Sequence, residues 1–159
     1  MPNPRDFFEQ MVKPPYEAWL ADPLIEWKAK AATSNADILA ERVFVYWNKK
    51  DQSQVAGAKH VRDYRTHLRK NVCPDFGLVW DVHDGLKHMM LDRPNRQVTS
   101  ATQTGVGQMG YGEGLYGEGL YGGCDQMVVT LDDNSKRTLS GAMQNVTAMW
   151  DKLLADMGL

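Results

Sequence analysis

The sequence predicts a mainly α-helical protein: a helical bundle of about four main helices, with a small antiparallel β-hairpin element and a Gly/Tyr-rich loop before the C-terminal helix. Three observations carry this. From Leu24 to Leu91 apolar residues recur at spacings of three and four, interrupted by a single proline, Pro74. Past Pro94 the helical period gives way to Val-, Thr- and Ser-rich sequence and then to a glycine-rich repeat. After Ser140 the helical period returns and holds to the C-terminus. A chain of 159 residues with 43% hydrophobic content fits one domain able to bury a core. It divides into a helical core (22–93), a β-hairpin and Gly-rich insertion (94–139) and a C-terminal helix (140–159).

Pro14 and Pro15 are expected to break a first short helical segment. Asp22-Pro23 then reads as a helix start, Asp22 capping and Pro23 in the first turn. The helix that follows, to about Trp47, places Ile38, Leu39, Val43, Tyr46 and Trp47 along one broad side. Val55, Ala58, Val61, Leu68 and Val72 mark a second amphipathic helix ending before Pro74. A third is expected from about Asp75 to Leu91. Gln97 to Thr104 suits a strand, as does Met127 to Asp132; Asp133-Asn134-Ser135 is a turn and Arg137 to Leu139 a short return strand. Ala142, Met143, Val146, Met149, Trp150, Leu153 and Met157 define the last helix, with Ser140 its expected cap.

The net charge of −2 excludes a protein that coats nucleic acid through bulk electrostatics. Nothing signals specific DNA reading. No run of about 18 apolar residues suggests a membrane span, and the N-terminus lacks the apolar stretch of a signal peptide. Cys73 and Cys124, far apart and outside any CxxC spacing, read as reduced thiols. These features predict a soluble, cytoplasmic protein.

The densest ionisable segment is Trp80 to Arg93 (WDVHDGLKHMMLDR), with two histidines, three aspartates and a lysine in fourteen positions. On a helix, Leu78, Val82, Leu86, Met89 and Met90 share one side, and Asp81, Asp84 and His88 form a stripe on roughly the opposite one. The simplest reading of that stripe is a solvated acid–histidine pair. The sharper one is a polar binding groove of Asp81, His83, Asp84, Lys87 and His88. Asp81, Asp84 and His88, joined by Glu41 from the long helix, are also candidate metal ligands, although no HExxH or paired ExxH motif completes the set. No cofactor motif is present: the glycine repeat lacks the Gly-Lys-Ser/Thr of a phosphate loop, and its GxGxxG spelling precedes no helix.

The second helix carries Lys59, His60, Arg62, Arg65, His67, Arg69 and Lys70 against one acid, Asp63. It reads either as a phosphate-binding surface or as a solvated helix side whose charges are balanced elsewhere. In the glycine repeat, Tyr111, Tyr116 and Tyr121 offer three aromatic faces on a pliable backbone; a loop of this length reads either as functional, docking on a partner or closing over the groove, or as disordered.

The combination of VCPDFGLVWDVHDGLKHMMLDR, QVTSATQT, YGEGLYG and MVVTLDD resembles an uncharacterised group of small bacterial proteins. That resemblance covers most of the chain and implies a shared fold with no activity attached. More distantly, Arg62-Asp63-Tyr64-Arg65-Thr66-His67 on a helical bundle is similar to the Arg-x4-6-His element of the HEPN superfamily, whose active members are metal-independent ribonucleases and whose inactive members bind RNA or protein. That likeness implies Arg62 and His67 as catalytic residues meeting across a homodimer cleft, Arg62 orienting phosphate and His67 handling the proton. The β-hairpin and the glycine-rich insertion depart from a minimal HEPN bundle. The leading expectation is therefore a binding or interaction module with an RNA, protein or self partner. A HEPN-type endoribonuclease and a metal-dependent hydrolase are the alternatives.

Overall fold

The computed structural model describes residues 3–110, 113 and 124–159. It is mainly helical with a small antiparallel sheet, the fold class the sequence predicts. Among these residues no helix is long and apolar enough to cross a membrane.

The N-terminal segment is helical straight through its prolines. Helix α1 (Pro4–Phe7) is capped by the Asn3 side chain, passes through a π-turn (Phe8–Val12), and continues as α2 (Lys13–Ala21). Pro14 and Pro15 therefore do not break the segment. A proline removes one N–H and crowds the carbonyl four residues earlier, and the widened π-turn just before the pair accommodates both effects. Phe8 and Val12 in that turn are fully buried. Asp22-Pro23 is not a helix start either. Helix α3 (Glu26–Trp47) begins after Ile25 with no side-chain cap, while Asp22 pairs with Lys28 and the Pro23 carbonyl accepts the Trp19 indole N–H at 3.0 Å.

Helix α3 lies against α2, α4 and α5. Its buried side is built from small residues, Ala29, Ala32, Ala36 and Ala40, with Leu39, Val43 and Phe44. Such a stripe lets neighbours approach the backbone, and the Trp150 indole reaches the Ala36 carbonyl at 3.0 Å.

The second amphipathic helix starts later than the apolar spacing suggests. A 3-10 turn (Gln52–Val55) ends in left-handed backbone at Ala56 (φ 56°) and Gly57 (φ 68°), so α4 (Val61–His67) begins only after His60. The Asp63 carboxylate accepts the His60 backbone N–H at 3.2 Å, fixing that start. A second π-turn (Leu68–Val72) carries the chain to Cys73, and α5 (Pro74–His88) follows. α5 stops three residues short of Leu91 because Met89 adopts a positive φ of 65°. Met89 and Met90 consequently leave the helix and are 67% exposed, not part of the apolar side.

Gln97 to Thr104 is not a strand. The Gln103 side chain accepts the N–H groups of Thr99 and Ser100 and turns the backbone into a 3-10 turn (Ala101–Gln103), local hydrogen bonding that competes with extended pairing. Only Thr104 of that run lies in β1 (Thr104–Gln108), which pairs with β2 (Asp125–Thr130), itself paired with β3 (Lys136–Thr138) in the order β1-β2-β3. The expected β2–β3 hairpin is present, turning at Asp133 to Ser135, and β1 adds a third strand. Helix α6 (Leu139–Asp156) starts on Thr138, whose hydroxyl accepts the Gly141 N–H at 3.2 Å, so Thr138 and not Ser140 is the cap. Ala142, Met143, Val146, Met149 and Trp150 are buried, and Trp150 meets Phe76 of α5 edge to face at 5.9 Å.

Candidate functional site

The dense segment is helical as far as His88, and its charges are arranged around Trp80. Trp80 is buried, and three guanidinium groups face its ring: Arg93 at 3.7 Å from the centroid, Arg69 at 5.8 Å and Arg65 at 5.9 Å. Arg69 reaches the ring because Gly77 leaves its path open; a Cβ at that position would overlap the Arg69 stem. Its guanidinium also donates to the Asn95 carbonyl at 2.8 Å.

The remaining two arginines are fastened by carboxylates, Asp37 and Asp81 buried and Asp84 partly exposed. Arg65 donates through Nε and Nη2 to both oxygens of Asp37, at 2.9 Å each. Arg93 donates Nη1 to Asp84 at 2.6 Å and Nη2 to Asp81. The second Asp81 oxygen accepts the Gln97 backbone N–H at 2.6 Å. Asp37 and Asp81 are both 0% exposed. Burial pushes the Asp37 carboxyl above its ordinary range, against the opposing pull of Arg65. Burial raises Asp81 as well, opposed by the Gln97 N–H and by Arg93.

In front of this charged wall lies a cleft of about 620 Å³. Arg62 and Arg65 line it from α4, Trp80, Asp84 and His88 from α5, and residues 90–93 from the segment that follows. Arg65 keeps Nη1 outside its pairing with Asp37. Among the described residues, the side chains of Arg62, His88 and Asp92 take part in no hydrogen bond or ion pair.

Of the residues singled out from the sequence, the cleft gathers Arg62, Asp84 and His88. Asp81 is not a groove residue, because the 89–103 segment folds back over α5 and seals it beneath Arg93. His83 faces α3, its Nδ1 2.9 Å from Ser34 Oγ and its Nε2 3.7 Å from Asp37. Lys87 is exposed and outside the cleft lining. His67 also lies outside that lining, with Nδ1 held 3.0 Å from the Asn71 amide. The expected Asp84–His88 pair is absent, since Arg93 takes Asp84. Tyr111, Tyr116 and Tyr121 lie outside the described residues.

The proposed metal set of Glu41, Asp81, Asp84 and His88 does not come together. Glu41 is exposed on α3 and Asp81 is sealed. Among the described residues, the acid–histidine group of three with ligand atoms within 4.8 Å of one another is Asp37, His83 and Asp84. Both of its carboxylates are already neutralised by guanidinium groups, so a cation would have to displace an arginine to bind there. The basic helix is likewise less basic at its surface than its composition suggests: Arg65 and Arg69 turn inward and leave Lys59, His60, Arg62 and Lys70 exposed.

Sequence reading missed Asp37, Arg65 and Arg93 as site builders. No local signal marked Asp37, which stands close to Ser34, Asn35 and Glu41 as well as beside Ala36 and Ile38. No protein-family model, curated protein or solved structure matches the chain.

Proposed function

We propose that this chain is a binding module whose cleft between α4 and the end of α5 takes a small ligand bearing an anionic group. The observation that carries the reading is the division of labour among the charges. The wall groups Asp37, Asp81, Asp84, Arg65 and Arg93 pair among themselves, with Arg93 Nε the one buried atom among them left without a hydrogen-bond partner, while the Arg62 guanidinium and the His88 ring, which line the cleft, are unpaired among the described residues. Those groups form a donor surface for an oxyanion, and Asp92 at the outer rim accepts from a ligand hydroxyl or amine. A wall already ion-paired before binding also lowers the ordering cost.

The test is thermal-shift and calorimetric titration with inorganic phosphate, citrate and a short single-stranded RNA. A responding anion stabilises the parent by mass action, and Arg62→Ala abolishes that response while changing intrinsic stability by less than about 0.5 kcal/mol. No response from any of the three, or an undiminished response in Arg62→Ala, would remove the reading.

A second reading is the HEPN-type, metal-independent endoribonuclease. It is favoured by the placement of Arg62 and His67 on one helix, with Asn71 orienting the His67 ring. RNA cleavage in the presence of a chelator, lost in Arg62→Ala and in His67→Ala, supports it; cleavage that survives both substitutions, or no cleavage by the parent, defeats it.

A further inference from the structure

We propose that Asp84 makes this cleft selective for an oxyanion that still carries a proton, a hydrogen phosphate ion, over one that carries none. The inference rests on the anion-binding reading above and names its ligand class. Asp84 is an acceptor set among donors: it lines the same cleft as Arg62, Arg65, His88 and Arg93. Arg93 Nη1 donates to its Oδ2 at 2.6 Å, and its side chain is 23% exposed. Its Oδ1 takes part in no hydrogen bond among the described residues. His83 comes within 4.8 Å of an Asp84 oxygen but has its Nδ1 2.9 Å from Ser34 Oγ. Asp84 therefore keeps accepting capacity that the protein leaves unfilled.

Two features turn that capacity into a filter. First, Asp84 is tied in place. Arg93 joins it to the sealed Asp81 and lies 3.7 Å from the Trp80 ring centroid, so withdrawing Asp84 from the cleft breaks a largely buried contact. Asp92, exposed at the rim, has no such tie. Second, Asp84 stands one helical turn before His88 on α5, so an oxyanion seated on His88 and Arg62 brings an oxygen towards it. The hydrogen phosphate and sulfate dianions share a tetrahedral shape and a double charge, and differ by one proton. Phosphate can turn its hydroxyl to Asp84 Oδ1, whereas sulfate sets lone pair against lone pair. A site that has to be donated to rejects a ligand with nothing to donate. A phosphate monoester loses its last proton at about pH 6 and above that stands with sulfate.

The experiment is calorimetric titration of the unmodified chain with inorganic phosphate, sulfate and phenyl phosphate, at mildly alkaline pH and matched ionic strength. Phosphate is expected to bind at least tenfold more tightly than either of the others. Asp84→Asn, whose amide donates as well as accepts, is expected to narrow the gap to sulfate below about threefold by improving sulfate binding, whereas Asp92→Asn keeps the gap. Circular dichroism checks the fold of each variant, and the comparison within the parent chain decides the matter if Asp84→Asn does not fold. Sulfate or phenyl phosphate binding as tightly as phosphate overturns the selection and leaves the anion cleft standing. So does a gap unchanged in Asp84→Asn or closed in Asp92→Asn, or a response to citrate or RNA without one to phosphate. No response from any of these anions removes both the selection and the anion-binding reading.

Discussion

On its α6 side, α5 offers Phe76 to Trp150, a dry aromatic contact with the Trp150 indole satisfied by one carbonyl. On the other side the same helix offers Asp81 and His83 to a wall of paired charges, where each carboxylate has given up water for a guanidinium. The first side stabilises through area removed from water and tolerates some repacking. The second gains little net stability, because desolvation offsets much of the attraction between the charges. What it provides is geometry: Arg65, Arg93 and Trp80 are held in fixed positions, and the cleft in front of them keeps one shape.

The comparison is broken most forcefully on the apolar side. Trp150→Ala is expected to cost about 3–5 kcal/mol, towards the upper end because the Ala36 carbonyl loses its donor as the cavity opens. Denaturant unfolding followed by circular dichroism measures it, and a loss of under about 1 kcal/mol would mean that the seam is not the main source of stability. On the charged side, Arg93→Ala is expected to cost about 3 kcal/mol, since it strands Asp81 in a buried site with only the Gln97 N–H and uncovers Trp80. The same unfolding experiment checks it. Trp80 fluorescence in this variant should also become accessible to quencher, which a purely electrostatic loss would not produce.

A smaller effect sharpens the contrast through pH. Burial holds the Asp37 carboxyl above its unfolded value, so its contribution to stability is complete below the unfolded pKa, about 3.9, and is lost as pH rises through the folded value. Asp37→Asn cannot ionise and escapes that loss. The stability of the variant relative to the parent should therefore improve steadily from acidic to neutral pH. Urea titrations at a series of pH values read the trend, and a drift in the opposite direction would show that attraction to Arg65 outweighs burial at this carboxylate.

The helices were legible where burial alone decides them. The apolar period of α6 and the length of α3 follow from residue spacing, because one side of each packs on the core. Boundaries set by local polar chemistry were not legible. The left-handed Ala56, the positive φ of Met89, the π-turn that accommodates Pro14 and Pro15, and the side-chain turn made by Gln103 each depend on a few particular hydrogen bonds or dihedral angles. The candidate site was half legible for a related reason. Arg62, Asp84 and His88 could be named from the sequence, but residues 28 positions apart at Asp37 and Arg65, and 12 apart at Asp81 and Arg93, become partners only through tertiary packing. Helical phase alone therefore assigned Asp81 to the solvent side, and the returning 89–103 segment reverses that assignment.

The bare Cα of Gly77 makes the position of one side chain depend on the absence of another. A methyl group there would occupy the corridor through which the Arg69 stem passes on its way to Trp80. Gly77→Ala therefore forces the Arg69 stem off its present path to the Trp80 ring, and a shorter side chain at 69 would relieve the overlap.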